Sequence, residues 1–273
     1  MNIILCNEGI YKYVEDYILS IINLLRANLL LFNYNIDLTY SSNNNYIFIQ
    51  NVNNNFFIEN SNKTNLFLIN TEQLSVDNSR ITINDYPGNL IIIDYSLANL
   101  KYYNEKFTKF FLPYQINYNE IFNIYKSNNI CLIDSGVDKS FNRLNIVNLL
   151  NERNVDVDII SGFGKERDIT LFKYKIILNI AYISGTYRIF ESFRCDRCIY
   201  NKMIVISDIK EDIENYYLSK YMIFVNYNEI VDKVVDVLNN YETYYNKLFS
   251  EFDFKEIEAD LANLSKPLLE NIF

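Results

Sequence analysis

The residues best suited to chemistry lie in one stretch, Ile177-Leu178-Asn179-Ile180-Ala181-Tyr182-Ile183-Ser184-Gly185-Thr186-Tyr187-Arg188-Ile189-Phe190-Glu191-Ser192-Phe193-Arg194-Cys195-Asp196-Arg197-Cys198. An apolar strand ends at Ile180, Tyr182 leads into a Ser184-Gly185-Thr186 loop, and the pattern predicts a helix from near Thr186 toward Tyr200. A glycine turn at a helix start presents unpaired N–H groups and the positive end of the helix dipole, a setting suited to a diphosphate. On such a helix Arg188, Glu191, Arg194 and Cys195 share one face by i+3 and i+4 steps. A carboxylate there can accept both hydrogens of a cis-diol such as a ribose, and an arginine beside it can neutralise phosphate with paired donors. Two plainer readings stay open: Arg188, Arg194 and Arg197 as a solvated face, and Glu191 as the ion-pair partner of Arg188 or Arg194.

The 273 residues contain no His and no Trp. Histidine bases, Ser-His-Asp and Cys-His nucleophiles and His-ligated metals are therefore excluded. Proton transfer falls to a carboxylate or to the substrate itself. Glu8, in Cys6-Asn7-Glu8-Gly9 at the end of the first predicted strand, is the candidate base; the alternative is a helix N-terminal acid favoured by the dipole. Glu72 and Asp94 are lesser candidates of the same kind. Cys195 and Cys198 have redox or zinc spacing, but they fall inside the predicted helix with no second pair or His to complete a site, so packing is the favoured reading.

These residues need a scaffold, and the apolar pattern supplies one. Short apolar runs alternate with segments of helical period, the signature of parallel sheets covered by helices. Strands are predicted at 2–6, 46–50, 66–70, 90–94 and 109–112, with a helix from Ile10 to about Leu30. A second series begins at 129–134, continues with a helix at 141–153, and has strands at 155–160, 176–180, 203–207 and 222–225. A helix through Val231–Leu238 and a terminal helical segment at 252–269 follow. The Asn-rich stretches 43–45 and 51–55 read as loops. The fold class is α/β, with two Rossmann-like lobes at 1–124 and 125–273. Five of the six glycines fall just past a predicted strand's carboxyl end, where open sheets bind ligands. Gly136, Gly162, Gly164 and Gly185 together favour a binding rim in the second lobe, although each could simply make a turn.

Composition bounds the partners. With 25 basic and 34 acidic residues the net charge is −9, which argues against nucleic acid as the main ligand. The 24 Tyr and 19 Phe are enough for a sizeable core. The 42 Asn, with abundant Ile and Tyr and scarce Gly and Pro, follow AT-rich codons, as in the genome of a large DNA virus or a parasite. Met1–Cys6 has no leader-like basic region, and the most apolar window, Tyr17–Tyr34, is interrupted by Ser20, Asn23, Arg26 and Asn28. No membrane span is expected. Four cysteines read as buried thiols suit a reducing, cytoplasmic location, where the sequons at Asn62 and Asn263 go unused.

The order of motifs over about residues 130–240 resembles the donor-binding half of nucleotide-sugar glycosyltransferases of the GT-B fold. Arg188-Ile189-Phe190-Glu191-Ser192-Phe193-Arg194-Cys195, followed by Met203-Ile204-Val205-Ile206-Ser207-Asp208, is similar to that family's Glu-x-x-Arg helix and following strand. Gly162-Phe163-Gly164-Lys165, Asp134-Ser135-Gly136 with Arg143, and Phe224-Val225-Asn226-Tyr227-Asn228-Glu229 fit the same half. Similar reading frames occur among glycosyltransferase-type proteins of large DNA viruses. The resemblance implies a cleft between the lobes and a C-terminal helix that crosses back. It implies a nucleotide diphosphate-sugar donor as substrate rather than a cofactor, bound by Glu191, Arg194, Arg188, Ser184, Gly185, Thr186, Tyr182, Gly136, Arg143 and Gly164. A glycan or protein acceptor would meet the first lobe, and no metal would be needed. Two departures stand out. The family's paired acid would fall at Ile183, and Ala181 stands where relatives often carry His. A degenerate sugar-nucleotide- or glycan-binding protein, or a structural protein on the same fold, are the alternatives. The aromatic tail through Phe249, Phe252 and Phe254 is read as the seam onto the first lobe, or as a homo-oligomer surface.

Overall fold

The computed structural model describes residues 1–74, 86–134, 140–181, 189–210, 213 and 216–272. The chain forms two compact units: Met1–Gln115 with Glu258–Phe273, and Ile116–Ile257.

The first unit is built on a six-stranded, fully parallel sheet. Its strands are β1 (Asn2–Asn7), β2 (Ala27–Phe32), β3 (Asn45–Ile49), β4 (Leu66–Asn70), β5 (Ile91–Asp94) and β6 (Thr108–Phe111), ordered β2-β1-β3-β4-β5-β6. The central strands are continuous apolar runs because both faces are covered, while edge strand β2 is only partly buried. Tyr46, Phe48, Phe56 and Phe57 pack ring against ring on one side of this sheet, with centroids 4.8–6.4 Å apart.

Helix α1 (Glu8–Ile21) ends well before the expected Leu30. Arg26 adopts a left-handed backbone (φ 46°), and Ala27 N–H donates to the Ile22 carbonyl across it, which closes the turn and releases the chain into β2. An apolar run such as Leu29-Leu30-Leu31 satisfies either period, so spacing could not choose. The stretch 51–55 is likewise more than a loop: Asn54 accepts from Phe57 N–H at 2.9 Å and caps the short α2 (Asn55–Asn60). Asparagine that enters through codon bias thus serves as a helix cap, as Asn7 does for α1.

The second unit has a five-stranded parallel sheet in the order β11-β10-β9-β7-β8. In chain order its elements are β7 (Asn128–Ile133), α3 (Phe141–Glu152), β8 (Asp158–Ile160), α4 (Gly164–Leu171), β9 (Tyr174–Asn179), α5 (Ser192–Tyr200), β10 (Ile204–Asp208), β11 (Met222–Val225), α6 (Ile230–Asn239) and α7 (Tyr241–Phe249). Helix α4, which its weak apolar pattern concealed, occupies the gap between β8 and β9. The long α8 (Phe254–Ile272) begins in the second unit and belongs to the first from Glu258 onward, where Ser265 accepts from Gln115 and the Ile272 carbonyl from Asn45. Phe249, Phe252 and Phe254 are part of an aromatic cluster of the second unit. They stack with Tyr221, Tyr245 and Tyr200 inside the second. Among the described residues no helix is long and apolar enough to cross a membrane.

Candidate functional site

Both sheets share one winding. The first strand of each unit lies between the second and the third, so successive connections leave β1 and β7 in opposite directions. Strand order reverses between β1 and β3 in one unit and between β7 and β9 in the other. A crevice opens at such a reversal, outside the carboxyl ends of the strands, and is the usual ligand position of an open parallel sheet.

In the second unit that position is occupied by charge. Arg143 rises from the first turn of α3, whose start Ser140 caps. Its guanidinium bridges the reversal, with Nη1 3.0 Å from Asp134 beyond β7 and Nε donating at 2.9 Å to the Ile180 carbonyl beyond β9. Asp134 and Arg143 are both buried. Arg143 Nη2 lies 3.9 Å from Glu191, and Glu191 is paired at 2.7 Å with Arg194 of α5. The latter two remain partly exposed, with side-chain exposures of 26% and 21%. On the other side of β9, Ala181 N–H donates to Asp208 at the end of β10, and Asp208 is paired with the buried Lys210 at 2.7 Å. The β9 exit is therefore held from both flanks, by Arg143 and by Asp208.

This arrangement corrects the sequence expectation at Glu191. Helix α5 begins at Ser192, so Glu191 is its N-cap rather than a residue one turn inside, and its carbonyl accepts from the Arg194 and Cys195 N–H groups at 3.1 Å. Of the face expected on that helix, Arg194 and Cys195 lie within α5 and Glu191 at its cap. Of the two plainer readings, the Glu191–Arg194 ion pair is present. Arg197 is no solvated residue: it is 3% exposed and pairs with Glu120 and Asp168, the latter also held by Arg167. Tyr182, Ser184, Gly185, Thr186, Arg188 and Gly136 lie outside the described residues.

Gly164 opens α4 after edge strand β8, on the far side of β7 from β9. Its φ of +74° demands glycine, yet an added Cβ would meet no atom within 4 Å. Backbone conformation rather than close approach explains it, and the same holds for Gly162 at φ +92°. Glu8 is the first residue of α1, exposed, at the β1–β3 reversal of the first unit.

Cys195 and Cys198 are buried in α5, and Cys198 donates to the Arg194 carbonyl. Burial pushes the Cys198 thiol up to about 12. Asp156-Val157-Asp158 has the Asp-x-Asp spacing of a metal-binding pair. It lies at the start of β8, the amino end of the sheet, and Asp158 accepts from Tyr174 at 2.9 Å. Among the described residues no group of three metal-ligating side chains comes together.

Sequence reasoning missed three features. One is the Asp208–Lys210 pair. Another is Asp196, a buried residue of α5, which accepts from the Tyr216 and Tyr217 hydroxyls; burial pushes its carboxyl up to about 7. The third is the role of Asp94, which is buried and accepts from Asn70, Asn99, Tyr103 and the Ser96 N–H, with its carboxyl also pushed up to about 7 by burial. Partners 20 or more residues apart, such as Asp196 and Tyr216, leave no local signal.

No protein-family model matches the chain. The uncharacterized protein R358 of Acanthamoeba polyphaga mimivirus is 29% identical over 213 residues, 76% of this chain and 74% of R358. The uncharacterized protein L140 of the same virus is 30% identical over 244 residues, 84% of this chain and 77% of L140. Among solved structures, an alpha1,3-fucosyltransferase crystallised with GDP matches with a TM-score of 0.55 at 12% identity, over 98% of this chain and 90% of that one. Two parallel α/β units followed by a terminal helix are thus a fold this chain shares with a glycosyltransferase.

Proposed function

We propose that the chain, which belongs to the same protein family as L140 of Acanthamoeba polyphaga mimivirus and shares its fold with a fucosyltransferase, is a glycosyltransferase using a nucleoside diphosphate-sugar donor. The observation that carries this reading is the Asp134–Arg143–Glu191–Arg194 cluster at the β7–β9 reversal of the second unit. A nucleoside diphosphate offers a cis-diol and two or three negative charges, and this cluster has one partly exposed carboxylate beside two arginines. Glu191 would accept the ribose hydroxyls, giving up part of its pairing with Arg194. Arg194 and Arg143 would take the diphosphate.

In the reaction the acceptor oxygen bonds to the anomeric carbon as the bond from that carbon to the diphosphate oxygen breaks. The electron pair leaves with the nucleoside diphosphate, and the acceptor proton passes to a carboxylate, for which Glu8 at the first unit's reversal is the candidate. The arginines neutralise the charge developing on the leaving group, so the reading needs no metal. The first unit would receive a glycan or protein acceptor.

Thermal-shift measurement against a panel of nucleoside diphosphates and their sugars tests this. A ligand at about 100 times its dissociation constant adds ~2.7 kcal/mol of stability. The expected outcome is a shift with one nucleotide family, unchanged by EDTA and lost in Glu191→Ala. A Glu191→Ala protein that binds the same nucleotide equally well removes the central residue of the proposal.

A further inference from the structure

The carboxyl edge of the first unit's sheet differs in charge from that of the second. Its strand-end segments 7–9, 32–36, 50–54, 70–74, 94–98 and 111–115 contain no Lys or Arg, whereas Arg143, Arg194 and Lys210 gather on the other sheet's edge. What this edge offers instead is amides and carboxylates, and the best-placed of them meet at the ends of β3 and β4. Gln50, one residue past β3 and directly beside the β1–β3 reversal, has a left-handed backbone (φ 57°), a conformation that costs a non-glycine residue energy. It is still tied to the sheet, its N–H donating to the Ile69 carbonyl at 2.9 Å. Its side-chain Nε2 donates to Glu72 Oε1 at 2.8 Å.

The backbone of Glu72 is fixed independently of its side chain. Asn70 and Asn99 both donate to the Glu72 carbonyl, at 2.7 and 2.9 Å, and the Glu72 N–H donates to Asn70 Oδ1 at 3.0 Å. The two asparagines are themselves anchored on the buried Asp94. Asp94 thus acts as a positioning residue, and the loop's backbone is fixed by the asparagines while the Glu72 carboxylate meets the Gln50 amide. It is partly exposed, as is the Gln50 amide, and the neighbouring Thr71 hydroxyl oxygen is out of solvent with no partner among the described residues. Buried polar atoms are nearly always satisfied, so that hydroxyl marks a position where a hydrogen-bonding group is wanted.

We infer that Gln50, Thr71 and Glu72 form a saccharide-binding site that selects an uncharged acceptor sugar through its vicinal hydroxyls. A carboxylate accepts two hydroxyl hydrogens, and an adjacent amide both donates and accepts. With no cation in those described strand-end segments to offset it, Glu72 repels an acidic sugar. The assignment of this saccharide as acceptor rests on the transferase reading, because the donor's charged half belongs with the arginines of the second unit.

The test uses the full chain, fluorescently labelled, on an array of neutral and acidic glycans, followed by titration of the strongest neutral hit by saturation-transfer NMR. Retention should be confined to neutral glycans. Glu72→Ala and Gln50→Ala should each weaken the hit about tenfold or more, because each loses hydrogen bonds to the ligand. Glu72→Gln should recover part of that loss and admit acidic glycans. Both side chains are partly exposed, and circular dichroism checks that the variants fold. Retention of no glycan, preference for acidic ones, or variants that bind like wild type would each overturn the inference. So would variants that weaken a nucleotide-sugar relative to its nucleoside diphosphate while leaving free glycans unaffected, since the hydroxyls would then belong to the donor. Nucleotide shifts should survive both substitutions. A blank nucleotide panel with glycan binding intact sinks the transferase reading but leaves this site standing.

Discussion

Replacing Arg143 with Met removes the cation that joins the ends of β7 and β9. The Asp134 carboxylate 3.0 Å away stays behind, with only 7% of its side chain exposed. Breaking a buried pair from one side leaves an uncompensated charge and costs about 3–5 kcal/mol. The Ile180 carbonyl also loses its Nε donor. At roughly 2–4 °C per kcal/mol for a chain of this size, the melting temperature should fall by about 6–20 °C. Removing the Asp134 charge as well, in the double variant Asp134→Asn/Arg143→Met, should restore more than half of the loss, since the penalty is chiefly a buried carboxylate deprived of its arginine. Arg143→Lys should fall between, because a single ammonium cannot reproduce a fork that meets Asp134 with one nitrogen and Ile180 with another. Differential scanning fluorimetry with urea titration as a check reads all three. An Arg143→Met protein melting within about 2 °C of wild type would refute the reasoning, since a buried pair cannot be broken so cheaply. A double variant no more stable than the single one would refute it equally.

The remaining predictions concern other buried groups. Burial pushes the Asp196 carboxyl up to about 7 from the 3.8 of a free aspartate, so the native state holds its proton longer than the unfolded state does. Stability from this site is therefore fully present below the unfolded value and is lost as pH rises through about 7, and Asp196→Asn should flatten that part of the urea-stability profile. A variant with the wild-type slope contradicts this. Arg197→Met removes the buried guanidinium shared by Glu120 and Asp168 while Arg167 still holds Asp168, so it should cost about 3 kcal/mol in urea unfolding, the low end for a buried pair broken from one side; a loss below about 1 kcal/mol would mean that the remaining partners suffice for both acids. All four cysteines are buried and should resist iodoacetamide in the native protein while labelling fully in denaturant, as mass spectrometry can show. Gly164→Ala, forced into a left-handed backbone, should lower stability by about 1 kcal/mol without touching nucleotide binding.

The sequence by itself determined the α/β class and nearly every strand. A strand buried on both faces must be a continuous apolar run, and β4 and β11 can be read directly as Leu66–Asn70 and Met222–Val225. The absence of His likewise narrows the chemistry whatever the fold. The folded structure decided where a helix gives way to a strand, as at Arg26, because a left-handed residue and the Ala27 N–H bond to the Ile22 carbonyl there outweigh an ambiguous apolar period. It also decided the company each charged residue keeps. Glu191 and Arg194, three residues apart, could be paired on paper, but nothing local foretells that Arg143 reaches both Asp134 and Ile180. That meeting exists because the chain reverses its direction of winding between β7 and β9. Strand order is set by how helices cover a twisted sheet, and no short window of sequence records it.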